Sequence, residues 1–148
     1  MSSYRQIFYQ IVFSTKNREA TLAESHAEEL YKYIWGIIKE RHGKLYRIGG
    51  MEDHLHIFSD LHPSISLADY IKDIKQGSGN WMKASGLFPT FAGWQDGYGA
   101  FTYNGKEKPA IIEYVKNQKA HHQKENFYDE YKRLLLENGV AFEEKYLV

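Results

Sequence analysis

Two short patterns in this chain have residue types and spacings that could do chemistry. The first is His54-Leu55-His56, inside the run Asp53-His-Leu-His-Ile-Phe58. Side chains on an extended segment alternate, so residues i and i+2 point to one side and the two imidazoles stand together. The second is Tyr114 with Gln118, spaced i, i+4 in a segment of helical character. That spacing presents a phenol and an amide oxygen on one helical face, a nucleophile beside a carbonyl able to ligate a metal. If the two pairs meet in space, one site holds both a metal and a nucleophile. Two neutral imidazoles and an amide leave the charge of a divalent cation uncompensated and several of its coordination positions open, so such a site wants an anion, phosphate foremost. A phenol in cationic surroundings, its pKa lowered from about 10, is equipped to attack phosphorus and leave a phosphotyrosyl ester.

The elements that must position these groups can be read from periodicity. Gln6 to Ser14 alternates Ile7, Tyr9, Ile11 and Phe13 against Phe8, Gln10 and Val12, the pattern of a central strand. Thr21 with Glu24 forms a capping-box pattern and predicts a helix start at Thr21, with an apolar stripe through Leu30, Ile34, Ile37 and Ile38 and a stop near Gly43. Lys44 to Ile48 and His54 to Leu61 read as two strands of an antiparallel hairpin, turning around Gly49, Gly50 and Glu52. Ser66 is placed to cap a second helix with the stripe Leu67, Tyr70, Ile71 and Ile74, whose far end Gly77 and Gly79 weaken. Trp94 to Tyr103 predicts a Gly-interrupted strand with a bulge. Pro109 suits the first turn of a third helix, on which Gln118 falls close to the line of Ile111 and Val115 and Tyr114 lies at the stripe's edge. A last helix carrying Phe127, Tyr131, Leu134 and Leu135 stops at Gly139, leaving a tail that could dock elsewhere. The order predicts an α+β fold, a ferredoxin-like βαββαβ antiparallel sheet with additional C-terminal helices.

Bulk properties narrow the function. A length of 148 residues is that of one domain, 1–148. The absence of cysteine excludes disulfides, thiolate chemistry and cysteine-ligated zinc. No apolar run reaches the roughly 18 to 20 residues of a membrane span and Met-Ser-Ser-Tyr-Arg has no signal-peptide core, so a soluble, cytoplasmic protein without membrane partners is expected. A net charge of zero, from 19 basic and 19 acidic residues, excludes nucleic-acid binding by overall charge alone and leaves it to local patches. The 12 Tyr, 8 Phe and 3 Trp mostly suit a core, and any that remain exposed could stack on unpaired bases.

The chain resembles the HUH-type single-tyrosine transposases of single-strand insertion sequences, the TnpA-like enzymes. The likeness rests on the strand Ile7 to Ser14, Gly50-Met-Glu-Asp-His-Leu-His-Ile57, the Ser64-Ile-Ser66 helix start, Trp94-Gln-Asp-Gly-Tyr98, and Glu113-Tyr-Val-Lys-Asn-Gln118 followed by His121-His122. It covers nearly the whole chain, with both motifs in the family's order and at the family's separation. The resemblance implies that His54 and His56 bind the metal, that Tyr114 is the attacking residue, and that Gln118 is the third ligand of Mg²⁺ or Mn²⁺. It further implies a homodimer, in which the tyrosine helix of one subunit can complete the other's site, and recognition of single-stranded DNA hairpins near element ends. The expected reaction is cleavage and rejoining of single-stranded DNA through a 5′-phosphotyrosine intermediate.

Other assignments compete. A domesticated relative would process hairpins without moving an element, and an RRM-like module would use the same strand order to bind nucleic acid without chemistry, although no RNP-like run lies on a central strand. A phosphoesterase with a His-x-His-x-His triad would need histidine where Phe58 stands. Arg5, Lys16, Arg18, Lys44 and Arg47 are candidates for phosphate contacts, none preferred and the DNA-binding surface left unassigned. His121-His122 could contact DNA but reads as a helix end, and Asp53 and Glu113, able to orient imidazoles or adjust local charge, are placed off the face of the site by alternation and helix angle.

Overall fold

The computed structural model describes residues 3–147. Four strands, β1 (Phe8–Ser14), β2 (Leu45–Met51), β3 (His54–Asp60) and β4 (Gly99–Thr102), form an antiparallel sheet in the order β2-β3-β1-β4. This is the expected α+β arrangement. Helices α1 (Ala27–Glu40) and α2 (Leu67–Ser85) cover one face, while α3 (Lys108–Lys116), the single turn α4 (Gln118–His121) and α5 (Phe127–Glu137) follow the last strand.

Strand alternation sorts the core into two sides. Ile11 and Phe13 of β1, with Leu55 and Ile57 of β3, pack on Leu30, Ile34 and Ile38 of α1 and on Tyr70, Ile71 and Ile74 of α2. The opposite parity faces the C-terminal helices: Val12 packs with Phe127, Leu134 and Leu135 of α5, and Phe8 and Phe58 pack with Val115 of α3. Leu147 is buried in the cluster of Val12 and Phe127, so the tail docks back on the sheet side. His54 and His56 share the parity of Phe58 and therefore lie beneath these helices.

Several local expectations are corrected. Residues 24–26 form a turn of 3₁₀ helix and α1 starts at Ala27, without a side-chain cap; the hydroxyl of Thr21 has no hydrogen-bond partner, so the capping box does not form. The hairpin turns at Glu52-Asp53, and Gly49 and Gly50 lie within β2. Gly49 is there for proximity, because a Cβ on it would stand 2.2 Å from the carbonyl oxygen of Val115 in α3. Helix α2 runs unbroken through Gly77 and Gly79, capped by Ser66, whose hydroxyl accepts from the Asp69 amide. Its glycines fit neighbours: a Cβ on Gly77 would meet Ile37 of α1, and one on Gly79 would touch Trp94. The segment 94–103 yields only the four residues of β4, with Trp94 joined to Thr15 by an isolated bridge.

Candidate active site

The hairpin turn before β3 is pinned from two sides, as Thr15 donates its amide to the Asp53 carbonyl and Leu22 donates to that of Glu52, both at 2.9 Å. From this anchored start His54 and His56 project to the same face, fully buried, with ring centroids 5.2 Å apart. Above them, α3 brings Tyr114. The helix is interrupted at Asn117, yet Gln118 still lies buried beneath Tyr114 and its Oε1 accepts from His54 Nε2 at 3.0 Å. The structure therefore gathers His54, His56, Tyr114 and Gln118 in one place within a single chain, the Tyr114 ring standing 5.8 Å from that of His56.

Glu130 of α5 lies at the centre of this group and is fully buried. Its Oε1 accepts from His56 Nε2 at 3.0 Å and from His122 Nε2 at 2.9 Å, and lies 3.3 Å from His54 Nε2. Its Oε2 accepts from the Tyr114 hydroxyl at 2.5 Å and from Gln118 Nε2 at 3.2 Å. Arg133, one helical turn further along α5, donates from Nη2 to the Tyr114 hydroxyl at 2.6 Å and is itself held by Glu125 and Glu137. His121 stacks on the Tyr114 ring, with centroids 4.4 Å apart.

Two expectations are overturned here, and two site residues are new. Asp53 was placed off the site, but its Oδ1 accepts from His54 Nδ1 at 2.7 Å; as a residue of the turn it escapes strand alternation. His122 does not merely end a helix, because it bonds to Glu130 within the cluster. Glu130 and Arg133 were missed altogether. A signal for Glu130 was present, since it is a charged residue three positions after Phe127 and four before Leu134, on the apolar stripe of α5. Glu113 does stay off the site, exposed and facing Asn117. Among the basic candidates Arg5, Lys16, Lys44 and Arg47 are exposed, while Arg18 is half-buried with its guanidinium 5.7 Å from the Tyr128 ring.

The electrostatics follow from burial and these bonds. Burial opposes a charged His54, but its hydrogen bonds to Asp53 and Glu130 prevail and its pKa is pushed up to about 9. Burial drives His56 the other way, below the ordinary imidazole value, more than Glu130 can restore. For Glu130 burial favours the neutral acid, yet hydrogen bonds from His122, His54 and His56 outweigh it and hold the carboxyl far below the usual range. Contrary to the expected lowering of the phenol pKa, burial, the Glu130 charge and the bond to that carboxylate raise Tyr114 above its ordinary value, and Arg133 counters only part of this.

The donor set fits a divalent cation. Imidazole nitrogens, an amide oxygen and a carboxylate converge, and ligand atoms of His54, His122 and Glu130 all lie within 4.8 Å of one another. With Nδ1 tied to Asp53, the nitrogen His54 turns toward the cluster is Nε2, the arrangement of a carboxylate-oriented metal ligand. Gln10 plays the matching part for His56. Its Nε2 donates to His56 Nδ1 at 3.1 Å and its Oε1 accepts from the Tyr103 hydroxyl at 2.7 Å. Turned over, the same amide accepts from an Nδ1–H and leaves Nε2 a lone pair.

Comparison with known proteins bears on the fold and on the family. A structure from Deinococcus radiodurans R1, described as a candidate transposase, superposes with a TM-score of 0.60 at 23% identity, covering 80% of this chain and 98% of its own. A REP-associated tyrosine transposase bound to a REP hairpin superposes with a TM-score of 0.61 at 19% identity, covering 82% of this chain and 74% of its own. At these identities the likeness is one of fold. No curated protein matches the chain at a significant level. The family model of IS200-like transposases matches residues 3–118, from before β1 to Gln118. With that match spanning the sheet, the paired imidazoles and the tyrosine helix, the chain belongs to the IS200-like transposase family.

Proposed function

We propose that this transposase-family chain cleaves and rejoins single-stranded DNA at hairpin-bearing element ends through a 5′-phosphotyrosine on Tyr114, with His54, His56 and Gln118 holding Mg²⁺ or Mn²⁺. One observation carries the reading: a phenol and a pair of buried imidazoles share a single hydrogen-bonded cluster in one chain. The hairpin partner is supported by the REP hairpin bound to a protein of the same fold. The functional form is taken to be a homodimer, checked by the sedimentation of the free chain.

In the reaction the Tyr114 oxygen forms a bond to phosphorus and the bond from phosphorus to the 3′-oxygen breaks. The phenolic proton is released and the departing 3′-oxygen takes up a proton. The ester keeps the bond energy, so a later 3′-hydroxyl can attack it and rejoin strands without ATP. A divalent cation, when bound, supplies positive charge to a non-bridging phosphate oxygen. The protein's own groups do the remaining work. Arg133 fixes the Tyr114 oxygen and faces the negative charge that grows on it. Asp53 orients His54, and Gln10, braced by Tyr103, orients His56. His121, stacked on the Tyr114 ring, limits its rotation.

The test is incubation with a single-stranded end hairpin and Mn²⁺. A covalent adduct migrating slowly under denaturing conditions is expected from the native chain, and none from Tyr114→Phe, which should still bind the hairpin. An adduct formed by Tyr114→Phe refutes the assigned nucleophile.

A further inference from the structure

We propose that Glu130, carried on α5 beyond the segment the family model matches, is itself a ligand of the divalent cation, adding a carboxylate to His54, His56 and Gln118, with His122 beside it. The inference rests on the metal site proposed above.

The first ground is the company Glu130 keeps. Its side chain is fully buried, and among the described residues no lysine or arginine pairs with it. Every group bonded to its Oε1 is an imidazole nitrogen. A buried carboxylate lined by imidazoles, with neither lysine nor arginine to pair with it, is a group to which a bound cation adds compensating charge.

The second ground is charge balance. Two imidazoles and an amide bring no negative charge to a divalent ion, so without Glu130 the whole of it would await the phosphate. A carboxylate oxygen is also the ligand type that Mg²⁺ and Mn²⁺ favour over imidazole.

The third ground is spacing. Adjacent ligands about 2.1 Å from an octahedral ion lie about 3 Å from each other. Glu130 Oε1 stands 3.0, 2.9 and 3.3 Å from the Nε2 atoms of His56, His122 and His54, and Gln118 Oε1 stands 3.0 Å from His54 Nε2. The carboxylate oxygen thus stands at about the separation of neighbouring ligands from each imidazole, and ligand atoms of Glu130, His54 and His122 all lie within 4.8 Å of one another.

A contrary role predicts the opposite sign. Were Glu130 a latch occupying the cation's place, its removal would strengthen metal binding. The experiment is a Mn²⁺ titration of the full chain without DNA, read by the electron paramagnetic resonance of free Mn²⁺ and by calorimetry. Glu130→Gln should weaken binding by about 10- to 100-fold or more while keeping the native circular dichroism, and His122→Ala should weaken it less. Unchanged or tighter binding in Glu130→Gln overturns the proposal. His56→Ala separates the two levels: if it too keeps full affinity, the underlying metal site fails, whereas its loss beside an unaffected Glu130→Gln defeats only the role of Glu130. Should Glu130→Gln not fold, the native chain labelled with ¹³C at glutamate carboxyls decides by electron–nuclear double resonance. A ¹³C coupling to stoichiometric Mn²⁺ supports ligation, and its absence overturns it.

Discussion

Replacing Gly49 by alanine tests whether the sheet sets the position of the nucleophile. Gly49 sits in β2 opposite His56, and a Cβ there would stand 2.2 Å from the Val115 carbonyl oxygen and 3.2 Å from its carbonyl carbon. Close carbon-to-oxygen contacts begin near 3.3 Å, so α3 has to withdraw by about 1 Å at the residue following Tyr114. Backbone is the obstacle, so no flexible side-chain end can swing aside. Overpacking of this kind costs about 1–3 kcal/mol, a fall in melting temperature of roughly 2–10 °C for a chain of this size. A displacement of about 1 Å in a reacting group can slow its chemistry by about 100-fold. The assay is the rate of covalent adduct formation on single-stranded hairpin DNA, set against the thermal melt. Gly36→Ala is the control, because nothing lies within 4 Å of its new Cβ on the exposed side of α1, and it should gain about 0.5–1 kcal/mol with an unaltered rate. An unchanged melt and an unchanged rate in Gly49→Ala would refute the coupling of β2 to α3.

Other perturbations address the electrostatics. Arg133→Gln removes the charged donor to the Tyr114 oxygen and should slow adduct formation by about 100-fold with hairpin binding retained; an equal rate removes Arg133 from the chemistry. Without metal, the His54 pKa of about 9 exceeds its unfolded value near 6.5, so its stabilisation is complete below about pH 6.5 and is lost as pH rises through about 9. Glu130 and Asp53 are ionised and His56 is neutral throughout that window, so none of these three offsets the loss. The melting temperature in chelator should fall between about pH 7 and about pH 9.5, and the slope should flatten in Asp53→Asn. A flat profile in the native chain contradicts the bonding described for His54.

The parts legible in the sequence are those governed by local periodicity. Alternation along residues 54–58 put both histidines on one face, and helical spacing put Gln118 under Tyr114, because each pattern spans only a few residues. Periodicity misplaced Asp53 because that residue belongs to a two-residue turn. It misjudged Gly49 and Gly77 because their role is set by Val115 and Ile37, residues distant in sequence whose approach only tertiary packing fixes. Glu130 and Arg133 were hidden for the same reason. A glutamate and an arginine on a helix usually meet water, and only the docking of α5 on β1 turns them inward.

That docking divides the pocket between two stretches of chain with different standing. The imidazole pair, the phenol and the amide lie within residues 3–118, while Glu130 and Arg133 hang from a helix past that boundary. If Glu130 ligates the ion as proposed, two relatives alike over the shared stretch but differing after it will carry the same histidines and tyrosine and still diverge in ion preference and in how readily the phenol gives up its proton. Exchanging the terminal helix for a relative's, with Phe127, Leu134 and Leu135 kept to fill the core, would then retune the chemistry without touching a single motif residue.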